Sequence, residues 1–164
     1  MPSAPGSPQG FGRPSASHSE ACPCGGGVYA SCCGPLIAGR QMAGTAEQLM
    51  RSRYSAFALA TRDPQAIEHL LRTHPEPGQS EAERRQGLKA STRSLQWIGL
   101  SVLETQNGGP LDSHGTVTFE ARWRDREGRE GMLRECSRFG RGEAGEWLYL
   151  EALSLGEGPG CSGC

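Results

Sequence analysis

Two periodicities divide the chain. Between residues 45 and 72 apolar side chains recur every three to four positions, and from residue 94 onward they recur every two. In "AEQLMRSRYSAFALAT" Met50, Tyr54, Phe57 and Ala58 stand at i, i+4, i+7 and i+8, one stripe of an amphipathic helix. Thr45 and Gln48 precede the stripe with capping-box spacing, in which each side chain satisfies a backbone N–H left free at a helix start. Asp63-Pro64 reads as a cap followed by proline at the first helical position, and Ile67, Leu70 and Leu71 give a second, shorter helix its inward face. Ser80 and Glu83 repeat the capping spacing for a third helix, which Gly87 weakens.

The period of two begins in "SLQWIGLSVLET", with Leu95 and Trp97 on one face and Ile98, Leu100 and Val102 on the other. After the turn signal "NGGP", Val117, Phe119, Ala121 and Trp123 alternate against Thr118, Glu120 and Arg122. "DREG" leads into "REGMLRECSRF", and "GRGEAG" into a last strand that puts Trp147 and Tyr149 on one face. Helices first and hairpin-linked strands second predict an α+β domain over 45–153, its helices packed on one face of an antiparallel sheet.

Composition locates what lies outside that domain. Residues 1–20 are rich in Pro, Ser and Gly, with Phe11 the one large apolar side chain after Met1, and 154–164 end in "GPGCSGC". Both read as flexible tails that cannot bury enough surface to offset their ordering entropy. "PLIAGRQMAG" reads as a connector. Lys+Arg 17 against Asp+Glu 18 leaves a net charge of −1, which disfavours nucleic acid as a partner. No apolar run reaches the length of a membrane span, and the N-terminus lacks the pattern of a signal peptide. A cytoplasmic location is therefore expected, where thiols stay reduced. An odd total of seven cysteines also argues against a disulfide framework.

Four of those seven lie in "ACPCGGGVYASCCG", residues 21–34. Cys22 and Cys24 form one pair, Cys32 and Cys33 another, and Gly25, Gly26 and Gly27 supply a loop tight enough to join them. Zinc favours four tetrahedral ligands, and thiolates suit it. A redox site more often shows C-x-x-C beside a βαβ pattern, which is missing here. Four thiolate ligands would leave no open coordination position, so the implied zinc is structural.

"CPCGGGVYASCCG" resembles the SEC-C zinc motif, and "PLIAG", "LMRSRYSAF", "THPE", "LQWIGLSVLE" and "ECSRF" resemble the YchJ-like family of bacterial proteins. The likeness covers about residues 21–152. It implies a zinc module over 21–39 with ligands Cys22, Cys24, Cys32 and Cys33, followed by a nuclear transport factor two-like cone in which a curved sheet wraps round helices. It also implies a protein contact through the module. Here the loop between the cysteine pairs is one residue shorter than in the usual motif, and it lacks the basic residues often found there.

That cone type often holds a pocket, which gives an alternative function: an enzyme or small-molecule binder. Tyr54, His74, Trp97, Glu135 and Ser137 are the candidate polar lining. Glu135 with His74 would suit acid–base work. The structural alternative, preferred here, pairs Glu135 with Arg51 or Arg53 as a tie between helix and sheet. His69, amid Ile67 and Leu70, and Cys136, within a strand, are expected to be structural.

Cys161 and Cys164 have the spacing of half a zinc site, but no other cysteine or histidine lies within twenty residues of them. One zinc per chain is therefore expected, and metal analysis of a chain cut after residue 157 should find the stoichiometry unchanged. Halving of the zinc content would reveal a second site.

Overall fold

The computed structural model describes residues 20–156, so the two expected tails fall mostly outside the described residues. Residues 154–156, expected in the C-terminal tail, instead extend the last strand, where they pair with the strand before it. Helices α1 (Gly34–Ile37), α2 (Ala46–Leu59), α3 (Pro64–Arg72) and α4 (Glu81–Thr92) precede strands β1 (Leu95–Asn107), β2 (His114–Asp125), β3 (Glu130–Arg141) and β4 (Trp147–Gly156). The strands form one antiparallel meander in the order β1-β2-β3-β4. The α+β class expected from the two periodicities is the one observed. The connector reading of "PLIAG" is corrected, because Pro35 sits in the first turn of α1 and Ile37 is wholly buried.

The caps explain where the helices start. Thr45 Oγ1 accepts from the Gln48 N–H at 3.1 Å, while Gln48 Oε1 reaches back to the Gly44 N–H at 2.7 Å, one residue before the expected partner. The Ala46 N–H donates instead to Gly108 O in the β1–β2 turn, 2.9 Å away, and this ties the start of α2 to the sheet. Gly108 is required there: its φ is +78°, and a Cβ would lie 2.7 Å from that of Ala46. Asp63 caps α3 through the Gln65 N–H at 2.9 Å. Ser80 and Glu83 complete a capping box, and α4 runs through Gly87 because Leu88 packs on the core and Arg85 forks onto Glu68 of α3.

One strand differs from simple alternation. A register shift between Trp97 and Gly99 inserts a bulge into β1. Trp97, Leu100 and Val102 therefore all pack on the core side, where the alternating pattern had set Trp97 against the other two. The inward positions of β3 face the helices as expected, with Ser137 and Phe139 almost wholly buried.

The helix α2 is buried around most of its circumference, through Leu49, Met50, Ser52, Arg53, Tyr54, Ser55, Ala56 and Leu59. The stripe of Met50 and Tyr54 meets the sheet side, while the small residues Ser52, Ser55 and Ala56 admit other segments closely. The cysteine segment packs there. Cys22, Cys24, Cys33 and Ile37 belong to the same core cluster as Leu49, Met50, Val117 and Phe139.

The junction is also held by hydrogen bonds. Arg72 Nη2 donates to Leu36 O at 2.7 Å, to Ile37 O at 2.8 Å and to His69 Nδ1 at 2.9 Å. His69 Nε2 lies 2.8 Å from Ser52 Oγ, whose proton goes to Leu49 O. With Nδ1 accepting, the Nε2–H donates to Ser52 and the imidazole is neutral. Burial first, then the Arg72 and Arg53 charges, push the His69 pKa down to about 3. The unfolded chain binds this proton near pH 6.5 and the folded chain resists it. Stability should therefore be level above pH 6.5 and fall as the pH drops from there toward 3. Between pH 6.5 and 5 the loss from this group should be about 2 kcal/mol. Urea melts of the wild type and His69→Gln check this, since the variant should lack that part of the acid slope.

Candidate metal centre and interior cavity

The metal centre is assembled by a short turn. Ala21 and Val28 form an antiparallel bridge, the Cys22 N–H donates to Gly27 O at 2.7 Å, and the Gly25 N–H donates to Cys22 O at 2.9 Å. A turn of 3₁₀ helix over Tyr29–Ser31 then delivers Cys32 and Cys33 to the same point. A side chain at Gly26 would crowd the sulfurs, since its Cβ would sit 3.1 Å from Cys32 Sγ and 3.2 Å from Cys24 Sγ.

The Sγ atoms of Cys22, Cys24, Cys32 and Cys33 all lie within 4.8 Å of one another. The Cys24–Cys32 separation is 3.5 Å and the Cys32–Cys33 separation 3.9 Å. Both are far longer than the ~2.05 Å of a disulfide, and these cysteines are reduced. They bracket ~3.8 Å, the tetrahedral edge implied by a ~2.3 Å zinc–sulfur bond. The Gly26 N–H points at Cys24 Sγ from 3.3 Å. Without a cation the four thiols compete for protons: hydrogen bonds from Cys24 and Cys33 hold Cys22 low, while burial and the neighbouring sulfurs push Cys32 up to about 12. Four thiolates in contact call for a positive ion at their centre, and the donor set fits one.

The second site is a cavity of about 770 Å³ between α2, α4 and the concave face of the sheet. Every sequence candidate lines it: Tyr54, His74, Trp97, Glu135 and Ser137. Its walls include an aromatic cluster, with Phe57, Phe119, Phe139 and Tyr149 joining Tyr54 and Trp97. Tyr54 and Trp97 meet edge-on at 6.3 Å, and burial pushes the Tyr54 phenol up to about 12.

At the polar end, Glu135 Oε1 accepts from Ser137 Oγ at 2.6 Å and from the Tyr149 hydroxyl at 3.0 Å. Burial, then the Glu135 charge, raise the Tyr149 pKa, so the phenol stays a donor. The expected tie from Glu135 to an α2 arginine is not made. Arg51 turns outward to Glu47 at 3.7 Å and to Cys24 O at 3.1 Å. Arg53 spends Nη1 on Leu70 O at 3.1 Å and Thr73 Oγ1 at 2.7 Å, and its guanidinium lies 4.8 Å over the Tyr149 ring. The reason is geometric: Tyr149 stands between the two charges and bonds one while stacking under the other. Burial pushes Arg53 down to about 10, which still leaves it charged at neutral pH.

His74 does not partner Glu135 either. Its Nδ1–H donates to Tyr149 O at 2.9 Å, and its Nε2 lies 3.1 Å from Glu76. Sequence reasoning missed Tyr149 and Arg53 as cavity groups. An inward-facing tyrosine was the available signal, because a buried phenol must place its hydroxyl on a partner.

A small four-cysteine metal-binding module docked on an NTF2-like α+β cone is the class of protein that this fold and site define. The family model described as "YchJ, middle NTF2-like domain" matches residues 45–152. A UPF0225 protein of Ralstonia nicotianae is 41% identical over 146 residues, spanning 84% of this chain and 94% of that relative. One of Geobacter sulfurreducens is 45% identical over 142 residues, 86% of this chain and 83% of that relative. Among solved structures, a SEC-C motif containing protein from Rhodopseudomonas palustris matches with a TM-score of 0.64 and 33% identity, over 80% of this chain and 95% of that one. The chain belongs to the YchJ-like family.

Removing the hydroxyl of the buried Ser137 deprives the half-buried Glu135 carboxylate of its shortest donor. Ser137→Ala should lower stability by about 1.5–3 kcal/mol in urea denaturation, the range for hydrogen bonds to charged groups.

Proposed function

We propose that this chain binds a small organic molecule in the cone, and that one structural zinc ion pins the cysteine module onto the helices beneath it. The carrying observation is the cavity: an aromatic and aliphatic wall with placed polar groups at one end is what ligand sites are made of. A cone serving only as a platform for contacts would gain stability by filling that space. Zinc is supported by the donor set, four reduced thiols with tetrahedral spacing. Bound there, it would cross-link the two cysteine pairs and offer no open position for chemistry. Reduced thiols also suit a cytoplasmic setting.

A second reading, protein contact through the module, has one observation in its favour. Val28 is 38% exposed on the rim beside three exposed glycines.

Two experiments test the first reading. Metal analysis should find one zinc per chain, and Cys32→Ser should lose most of it; full retention would overturn the ligand assignment. For the cavity, Gly87 is the informative position. It lines the mouth on α4, and a Cβ there would meet nothing within 4 Å. Gly87→Leu should fold at least as stably as the wild type, since glycine costs a helix about 1 kcal/mol relative to alanine. It should also weaken any small molecule found by a thermal-shift screen. A ligand that binds Gly87→Leu and wild type equally does not occupy the cavity.

A further inference from the structure

We propose that the cavity takes an amphoteric ligand, one that carries a protonated amine and a carboxylate near one end of an aromatic or extended apolar body. This deepens the ligand-binding reading above and rests on it. Of the charged residues that line the cavity, Arg53 and Glu135 lie at the Tyr149 end, and they form no ion pair with each other within 4 Å. Each touches Tyr149 instead, Arg53 across the ring face and Glu135 at the hydroxyl, so the charges stand about one tyrosine side chain apart.

Each also keeps bonding capacity in reserve. The printed bonds of Glu135 all go to Oε1, and those of Arg53 all leave from Nη1. Among the described residues the one buried side-chain nitrogen or oxygen without a partner is Arg134 Nε. Glu135 Oε2 and Arg53 Nη2, unbonded and not on that count buried, therefore retain accessible surface where both residues line the cavity. A carboxylate oxygen seeks a donor, and a guanidinium edge seeks an acceptor.

Charge pairing disfavours the simpler ligands. Arg84 and Glu76, which also line the cavity, pair with each other at 3.3 Å, and Glu83 is engaged in the α4 capping box, so Arg53 and Glu135 are the lining charges that neither pair nor cap. A purely cationic or purely anionic guest would answer one of them and face the other's like charge. A guest bearing both charges answers both residues. Its apolar body would lie against Trp97, Phe119 and Phe57, where ring-on-ring contact is favourable.

The test uses three probes that share one ring system: L-tryptophan, tryptamine and indole-3-propionate, titrated into the zinc-loaded full chain and followed by amide chemical shifts. The amphoteric probe should bind about tenfold tighter than either singly charged one, the loss expected for a charged hydrogen bond. In Glu135→Gln, tryptophan and tryptamine should weaken about tenfold while indole-3-propionate is unchanged. Equal binding of tryptamine or of indole-3-propionate with tryptophan would overturn the proposal. So would failure of all three when a screen yields another cavity ligand, and that result would leave the ligand-binding reading standing. Failure of every compound, with no shift at Trp97 or Tyr149, would defeat the ligand-binding reading itself.

Discussion

Burial of α2 on nearly every side is the constraint from which the rest of the structure follows. One flank, through Met50 and Tyr54, must cover the sheet. The other carries only the small side chains Ser52, Ser55 and Ala56, which let α3 approach through His69 and the cysteine segment through Cys22. Cys22 Sγ comes within 3.5 Å of Ser55 Oγ, and Arg51 reaches the Cys24 carbonyl. A segment of about twenty residues cannot build a core of its own and usually needs a metal or a host surface. This one has four thiols for the first and α2 for the second.

The same arrangement makes the buried polar chain of Ser52, His69 and Arg72 intelligible. Arg72 donates to the final carbonyls of α1, adding to the Gly39 N–H on Leu36 O and supplying Ile37 O. His69 accepts from Arg72 and passes its own proton inward to Ser52, so each group has one assigned role. Because burial forbids a second proton on His69, the joint between module and helices is also the acid-sensitive point of the fold.

The cavity arises on the opposite flank. The bulge in β1 turns Trp97 inward beside Leu100, and α4 packs on α3 and β1 without filling the sheet's concavity. Glu135 and Ser137 then face inward at positions where a packed core would have apolar residues. Glu135 and Arg53 are answered there by neutral groups, through Ser137, Tyr149, Thr73 and Leu70 O, and neither has an ion partner among the described residues. A site that serves a ligand is where such charges are retained.

What the sequence determined by itself follows from local physics. Helix periodicity at Met50, Tyr54 and Phe57, the caps at Thr45, Asp63 and Ser80, and strand alternation through Val117, Phe119 and Ala121 all act within a few residues, so they fixed the class and the element order. The cysteine pairs were equally legible, since a glycine loop between C-x-C and C-C brings its own ends together. Tyr54, His74, Trp97, Glu135 and Ser137 were legible as one pocket's lining only through the family resemblance, and the fold brings all five to it. Which partners those side chains chose could not be read. The tie from Glu135 to an arginine fails because Tyr149, from another strand, stands between them. Trp97 changes face because a bulge depends on how β1 pairs with β2. The module joins the core because small residues on the far side of α2 leave room for it. Pairing, register and docking join residues distant in the chain, and only the folded structure decides them.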